Sequence, residues 1–367
     1  MRLGLFMMPL HPVGRPMHAY LAEDTEKALL MEKLGFHELF IGEHYSAATE
    51  PYPSPLMFAA SLVPRTERLI FGTGVINAPL HHPAMIAAET AQFDHLSKGR
   101  FILGIGSGST PTDNEMMNVS PDARERGKML VESIEMIQRI WASDPPYDFS
   151  GTYWTTRIKD TINAPLNFGW LPKPYQKPHP PIAIPSSSPD SASVKVAGRK
   201  GWSVISGGLL SAQDLASHWA SYRQGCEEAG RATSGKDWRV CRSIHVAATD
   251  EEARARVYSA ESGYRHFYGH MHKVYGQLGR LGVLKARPDM RDDEVTVETF
   301  IEQRTIFGSP KTVAAELTAL RREAGPFGTL LLTTVDWAGP NAAWERESWT
   351  RLAQEVIPAL TKETVAA

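Results

Sequence analysis

The chain has 367 residues, 42% hydrophobic and 22% charged, with 39 Lys and Arg against 41 Asp and Glu for a net charge of −2. Such balanced, interspersed charge offers no polybasic patch to nucleic acid or to an anionic membrane surface, and no run approaches the ~18 apolar residues of a membrane helix. The two cysteines, Cys226 and Cys241, form neither a CxxC pair nor a disulfide framework, which fits a reducing cytoplasm.

The first predicted element is the apolar run RLGLFMM (2–8), read as a buried strand because no signal-peptide cleavage site follows it. A helical pattern over 18–34 closes at Gly35. HELFIGEH (37–44) is the second strand, with a helix near 54–63 after it. RLIFGTGV (68–75) is the third, followed by a helix over 83–97 that carries Pro83 in its first turn. RFILGIG (100–106) is the fourth, and ARERGKMLVESIEMIQRIWAS (123–143) is strongly amphipathic. Four nearly all-apolar strands, each followed by a helix, imply a parallel sheet covered on both faces.

From Asp144 to His179 the periodicity gives way to Pro, Gly, Tyr and Trp, as expected of an inserted functional loop. Alternation resumes with PIAIPSS (181–187), a helix over 190–200, GWSVISG (201–207), a helix over 211–229 and WRVCRSIHVAA (238–248). A second insertion over about 251–307 is irregular or helical. A helix over 309–324, the strand FGTLLLTTVDW (327–337) and a helix over 342–360 finish the chain. Eight strands interleaved with helices predict a (β/α)8 TIM barrel, one domain over 1–367 with insertions at about 144–180 and 251–307. An open doubly wound sheet is the alternative.

The stretch GRFILGIGSGSTPTD (99–113) ends a strand in Gly104, Gly106 and Gly108. A dinucleotide fingerprint needs G-x-G-x-x-G opening a helix after the first strand. Here Ser109 takes the third glycine slot, the strand is the fourth, and TPTDNEMMNVSPD separates it from the next long helix. In a barrel the same glycines let backbone approach a flat ligand, because no Cβ intervenes. Turning the chain is their other reading.

Active sites of barrels lie at the carboxyl ends of the strands. That rim collects MMPLHP, Glu43, His44, Tyr45, Gly74, Val75, Asn77, His81, His82, Gly106, Ser107, Gly108, Ser186, Ser187, Ser188, Ser206, Gly207, Gly208, Thr334 and Asp336. Glu43 and Asp336 are its one carboxylate pair of note for glycosidase chemistry. His81 and His82 are adjacent and splay apart, so no metal site is expected. The serine run PSSSPDSAS (185–193) joins a strand to a helix, where hydroxyls and the helix's first N–H groups meet a phosphate, or where Ser or Asp simply caps the helix. A phosphate end and a glycine-smoothed wall together suggest FMN.

FIGEHY, GTGVINAPLHHPAMIAAETAQFDHLSKGRFILGIGSG and FGSPKTVAAEL resemble the bacterial luciferase-like flavin-dependent monooxygenases over almost the whole chain. LGLFMMPLHP, PYQKPHPPI and QGCEEAGRA look most like the limonene monooxygenase type within that family. The resemblance implies a luciferase-like barrel that takes reduced FMN from a separate flavin reductase and activates O2, most commonly as a homodimer. It makes His44 the catalytic residue. It also places a non-proline cis peptide at Gly74–Val75, beside the flavin ring. Gly106 stands where luciferases carry a reactive cysteine, and Ser107 where they carry a phosphate-contacting arginine.

The expected function is therefore a cytoplasmic, two-component monooxygenase of a small apolar, terpene- or ketone-like substrate. Gly74, Val75, Asn77, Gly106, Ser107, Ser186, Ser187 and Ser188 are expected to hold the cofactor. Met8, Tyr45, Phe58, His81 and Trp154 are expected to line the substrate side, with Met7, Tyr153 and the segment from Tyr264 to Tyr275 near them. A deazaflavin-dependent reductase and a non-catalytic flavin-binding relative use the same barrel and stay open as alternatives.

Overall fold

Nearly every apolar run bounded by Gly, Pro or charge becomes a strand in the computed structural model, which describes residues 1–360 except 9, 51, 190 and 286–288. The strands are β1 (Arg2–Met7), β2 (Glu38–Ile41), β3 (Ile70–Thr73), β4 (Ile76–Asn77), β5 (Phe101–Gly106), β6 (Tyr147–Ser150), β7 (Thr155–Ile158), β8 (Ile182–Ser186), β9 (Ser203–Ser206), β10 (Arg239–Val246), β11 (Thr305–Gly308) and β12 (Thr329–Thr333). The helices are α1 (Met17–Leu34), α2 (Pro55–Leu62), α3 (Pro83–Leu96), α4 (Pro111–Met116), α5 (Ala123–Ala142), α6 (Ala192–Lys200), α7 (Ala212–Glu228), α8 (Asp250–Tyr258), α9 (Gly263–Gln277), α10 (Val297–Arg304), α11 (Pro310–Ala324) and α12 (Asn341–Arg351).

Strand order runs β10-β12-β1-β2-β3-β5-β8-β9 and returns to β10, an eight-stranded parallel ring, which is the (β/α)8 barrel. No helix among the described residues is long and apolar enough to cross a membrane. The short helix α4 opens at Pro111, inside the segment whose sequence suggests only a connection. The chain divides into two compact units, 1–39 with 186–367, and 40–185.

In the first unit, β10 does two jobs. Arg239–Arg242 pair with Thr329–Leu332 of β12, whereas Ser243–Val246 leave the ring to pair with β11. Arg239 is buried and makes a two-pronged ion pair with Glu38, at 2.6 and 2.9 Å. A second buried network joins the loop after β1 to α1 and to the loop after β12. His11 Nδ1 lies 2.6 Å from Asp336 and its Nε2 3.1 Å from Asp24, while Lys27 bonds Asp24 and Glu23 at 2.8 and 2.7 Å. Burial works against the His11 imidazolium, but hydrogen bonds to Asp24 and Asp336 outweigh it and raise its pKa. The insertion after β10 folds as helices around Tyr264, Phe267, Tyr268, Leu284 and Phe300. Tyr264 and Tyr268 are therefore core residues, their hydroxyls bonded to Ile244 O and to Ser243 Oγ.

In the second unit, Phe40 and Ile41 of β2, together with β3 and β5, are almost wholly buried, as strands covered on both faces must be. α3 and α5 cover them, with Ile134, Ile137, Ile140 and Trp141 on the inward face of α5. The inserted loop contains the antiparallel hairpin β6–β7. Glu132 of α5 accepts from the backbone N–H groups of Thr152, Tyr153 and Trp154 at 2.8 to 2.9 Å, which fixes the hairpin's turn.

Candidate active site

The carboxyl end of β2 runs directly into Glu43, His44 and Tyr45. Glu43 is buried, 3% exposed, and both its carboxylate oxygens and its carbonyl are engaged. Its Oε2 accepts from Asn77 N at 2.8 Å, its carbonyl accepts from Asn77 Nδ2 at 3.1 Å, and its Oε1 accepts from His81 Nε2 at 2.9 Å. A carboxylate can only accept, so this bond fixes the proton on His81 Nε2. Burial opposes the His81 imidazolium, but the hydrogen bond and charge of Glu43, with help from Glu89, raise the pKa overall. Tyr45 Oη lies 3.4 Å from the same nitrogen. Burial first, then Glu43, Glu89 and Asp113, push this phenol far up, so it stays protonated.

His44 is held on both sides. Its Nδ1 lies 3.2 Å from Thr110 Oγ1, its Nε2 lies 3.3 Å from Glu50, and its side chain keeps 18% of its surface. Asp113 of α4 pins the following residues by accepting from Ser46 N at 2.8 Å and Tyr45 N at 3.3 Å. His82 goes elsewhere. Its Nδ1 accepts from Ala84 N at the start of α3, and its Nε2 donates to Thr155 O. Trp154 meets the His82 ring edge-on at 5.6 Å, and its buried Nε1–H has no acceptor among the described residues.

The peptide Gly74–Val75 is cis, as the resemblance implies. It leads into β4, whose Ile76 and Asn77 pair with Ile105 and Gly106 of β5. The strand's glycines serve this neighbour. A Cβ on Gly106 would meet Val75 Cγ2 at 2.6 Å, and one on Gly104 would meet Thr73 O at 1.7 Å. The space beside both is thus filled by protein and not reserved for a ligand. Gly108, at φ +70°, does turn the chain. Phe58 is 8% exposed and packs edge-on against Tyr52, so most of its surface serves the core.

Sequence reasoning missed Arg126 of α5, which is 7% exposed. Its Nε and Nη1 reach back to Gly108 O and Ser120 O, at 3.2 and 2.8 Å. That brings a guanidinium to the turn containing Ser107, where the family's arginine is missing. An arginine in the first turn of the helix after the glycine-rich strand is the signal that could have found it.

The serine run belongs to the first unit. Ser186 is buried and its Oγ lies 3.4 Å from His218 Nε2, whereas Ser187 and Ser188 are exposed. His218 is itself fixed by Ser206 Oγ at 2.9 Å, and Trp238 Nε1 donates to that same hydroxyl. At the N-cap of α6, the Ser191 side chain makes no capping bond and lies 2.7 Å from Ser193 Oγ, which leaves the first N–H groups of α6 to other partners. Asp190, the other capping candidate, is outside the described residues. Met8, also in this unit, is half-buried, while Met7 is fully buried. His11, Glu23 and Asp336 bring ligand atoms within 4.8 Å of one another. Arg15 and Lys27 already neutralise that group, which makes it an ion network rather than a metal centre.

The luciferase-like monooxygenase family profile matches residues 1–326. The chain is 33% identical to 4-hydroxyprotoasukamycin monooxygenase of Streptomyces nodosus subsp. asukaensis, across 97% of this chain and 91% of that one. It is 28% identical to limonene 1,2-monooxygenase of Rhodococcus erythropolis, across 97% and 85%. Among solved structures, the oxygenating constituent of 3,6-diketocamphane monooxygenase from Pseudomonas putida, in complex with FMN, shares the fold with a TM-score of 0.88 at 24% identity over 98% of each chain. With a match of this extent, the chain belongs to the luciferase-like monooxygenase family.

Proposed function

We propose that the protein is the oxygenase of a two-component system that takes reduced FMN from a separate flavin reductase and uses O2 to oxygenate a small apolar substrate. The observation that carries this reading is the Glu43–Asn77–His81 cluster beyond the carboxyl end of β2, in a chain of this family. The residues suit FMN chemically. Val75 offers apolar surface, and Trp154 Nε1 and Asn114 Oδ1 are a buried donor and a buried acceptor without partners among the described residues. Exposed Ser187 and Ser188 precede a helix whose N-cap side chain makes no capping bond, a setting that favours phosphate.

When bound, the reduced flavin supplies two electrons and the activation of O2. The chain's own residues then do the rest. Gly74, Val75, Asn77, Gly106 and Ser107 shape the ring-facing wall, with Gly106 acting through Val75, and Arg126 adds positive charge beside Ser107. His81, held as an imidazolium by Glu43 at Nε2, has its second proton, on Nδ1, to offer the reacting oxygen. His44, fixed by Thr110 and Glu50, orients what binds above it and exchanges protons with it. Tyr45 and Trp154, with the small exposed part of Phe58, provide apolar substrate contacts.

The test supplies enzymatically reduced FMN and O2 with a panel of terpenes and cyclic ketones. Substrate-dependent oxygenated product supports the reading. Hydride transfer from a reduced deazaflavin, with no need for O2, contradicts it. Replacing Ser187 and Ser188 together with Ala is expected to weaken FMN binding about tenfold or more, since charge-assisted hydrogen bonds are worth ~1–3 kcal/mol. The melting temperature should stay put, because both side chains are exposed. Fluorescence quenching of FMN on titration reads the affinity, and an unchanged value removes the serines from the phosphate site.

A further inference from the structure

Two arginines of the first unit are buried without a counter-ion. Arg242 of β10 is 5% exposed and Arg304, the last residue of α10, is 8% exposed. Among the described residues no carboxylate lies within ion-pair distance of either one. Arg242 uses only Nη1, which donates to Gly208 O at 3.1 Å and Cys241 O at 3.2 Å. Arg304 reaches Gln303 O and Val283 O at 3.4 Å, and its buried Nε has no partner among the described residues.

The acid whose charge both arginines feel is Asp214. Its carboxylate is already committed to capping α7, where it accepts from Ser211 N and Oγ at 2.8 and 2.7 Å. Tyr268 couples to both cations, and its hydroxyl donates to Arg304 O at 3.1 Å. Burial, and next the charge of Arg304, push the Arg242 pKa down to about 10. A desolvated cation without an anion is costly, and two that repel each other more so. Apolar side chains lie near them too: Leu209 follows Gly208, and Val283, whose carbonyl Arg304 reaches, packs with Tyr275 and Leu281 against the core cluster of this unit.

We infer that Arg242 and Arg304 form a binding site for an oxyanion, the carboxylate or phosphate of a ligand whose remaining part is apolar. Guanidinium groups are the cations best suited to this, because their fork of donors matches both anions bidentately. The assignment goes beyond the oxygenase reading and needs no flavin.

The test is calorimetric titration of the full-length protein, without flavin, with decanoate in one arm and inorganic phosphate in the other. Wild type and the variants Arg242→Gln and Arg304→Gln are compared, each with its melting temperature measured without ligand. Saturable one-to-one binding of decanoate assigns a carboxylate ligand, and binding of phosphate assigns a phosphoryl one. In either case Arg304→Gln should bind at least tenfold more weakly, yet melt no lower than wild type, because an uncompensated buried charge has been removed. If Arg242→Gln does not fold, Arg304→Gln carries the comparison, since the Arg304 side chain makes only long contacts. Failure of wild type to bind either probe, affinity within twofold of wild type in Arg304→Gln, or a lowered melting temperature in that variant overturns the assignment.

Discussion

Replacing Gly104 with Ala is expected to leave no folded protein. A Cβ at this position would sit 1.7 Å from Thr73 O and 2.9 Å from Thr73 C, both backbone atoms of the neighbouring strand. No rotamer change relieves such a clash. β3 and β5 would have to separate, which breaks their pairing at Phe71–Phe101 and Gly72–Ile102 and the bond from Thr73 Oγ1 to Gly104 O. Overpacking a core ordinarily costs ~1–3 kcal/mol, and forcing paired strands apart lies beyond that range, comparable with the ~5–15 kcal/mol that holds a typical domain together. Gly127→Ala is the control. That glycine lies in α5 with nothing within 4 Å of the added carbon, and the change should stabilise by about 0.5–1 kcal/mol. Soluble yield and urea midpoints read both variants. A Gly104→Ala protein that melts within a few degrees of wild type would show that β3 and β5 are not packed as described.

Glu43→Gln should reduce oxygenation about 100-fold or more while leaving a folded chain, in the range by which a positioned acid or base contributes. Glutamine keeps an acceptor for Asn77 N, so the backbone bond that orders β4 survives. What disappears is the negative charge that favours the imidazolium of His81. With a raised pKa, wild-type His81 stays protonated above the usual His range, near 6.5, and activity should fall only as pH rises through that raised value. In Glu43→Gln burial remains while the carboxylate is gone, so the same limb should move to lower pH. A pH profile of kcat with saturating reduced FMN measures this. A profile identical to wild type removes His81 as the proton holder.

Legibility followed the range of the interactions. All eight ring strands could be read because each is a local apolar run, and so could the Gly35 stop of α1 and the Pro83 start of α3. The buried charges could not. Glu38 and Arg239 are 201 residues apart in sequence, and Asp24 and Lys27 look like any solvent-facing pair on a helix. The roles of Gly104 and Gly106 were hidden for the same reason, since the atoms that forbid a Cβ belong to Thr73 and Val75 on the adjacent strand.

The aromatic insertion was legible as helical, but its Tyr264–Tyr275 segment was placed near the substrate, whereas Tyr264 and Tyr268 pack into the core. Tyr264, Phe267, Tyr268, Met271 and Tyr275 recur at helical spacing, which marks one apolar face of α9. At the candidate site the residue types at the ends of β2 and β3 were visible. Their pairing was not, because Asn77 and His81 lie 34 and 38 residues from Glu43 in sequence and meet it only through the tertiary fold.

The most direct measurement is an anaerobic titration of the protein with reduced FMN, followed by admission of O2 to the saturated sample. Saturation at one flavin per chain, with flavin reoxidation that differs in rate from that of free reduced FMN, is the predicted result. A protein that shows no saturable uptake of reduced FMN, and leaves its reaction with O2 unaltered, would contradict the account.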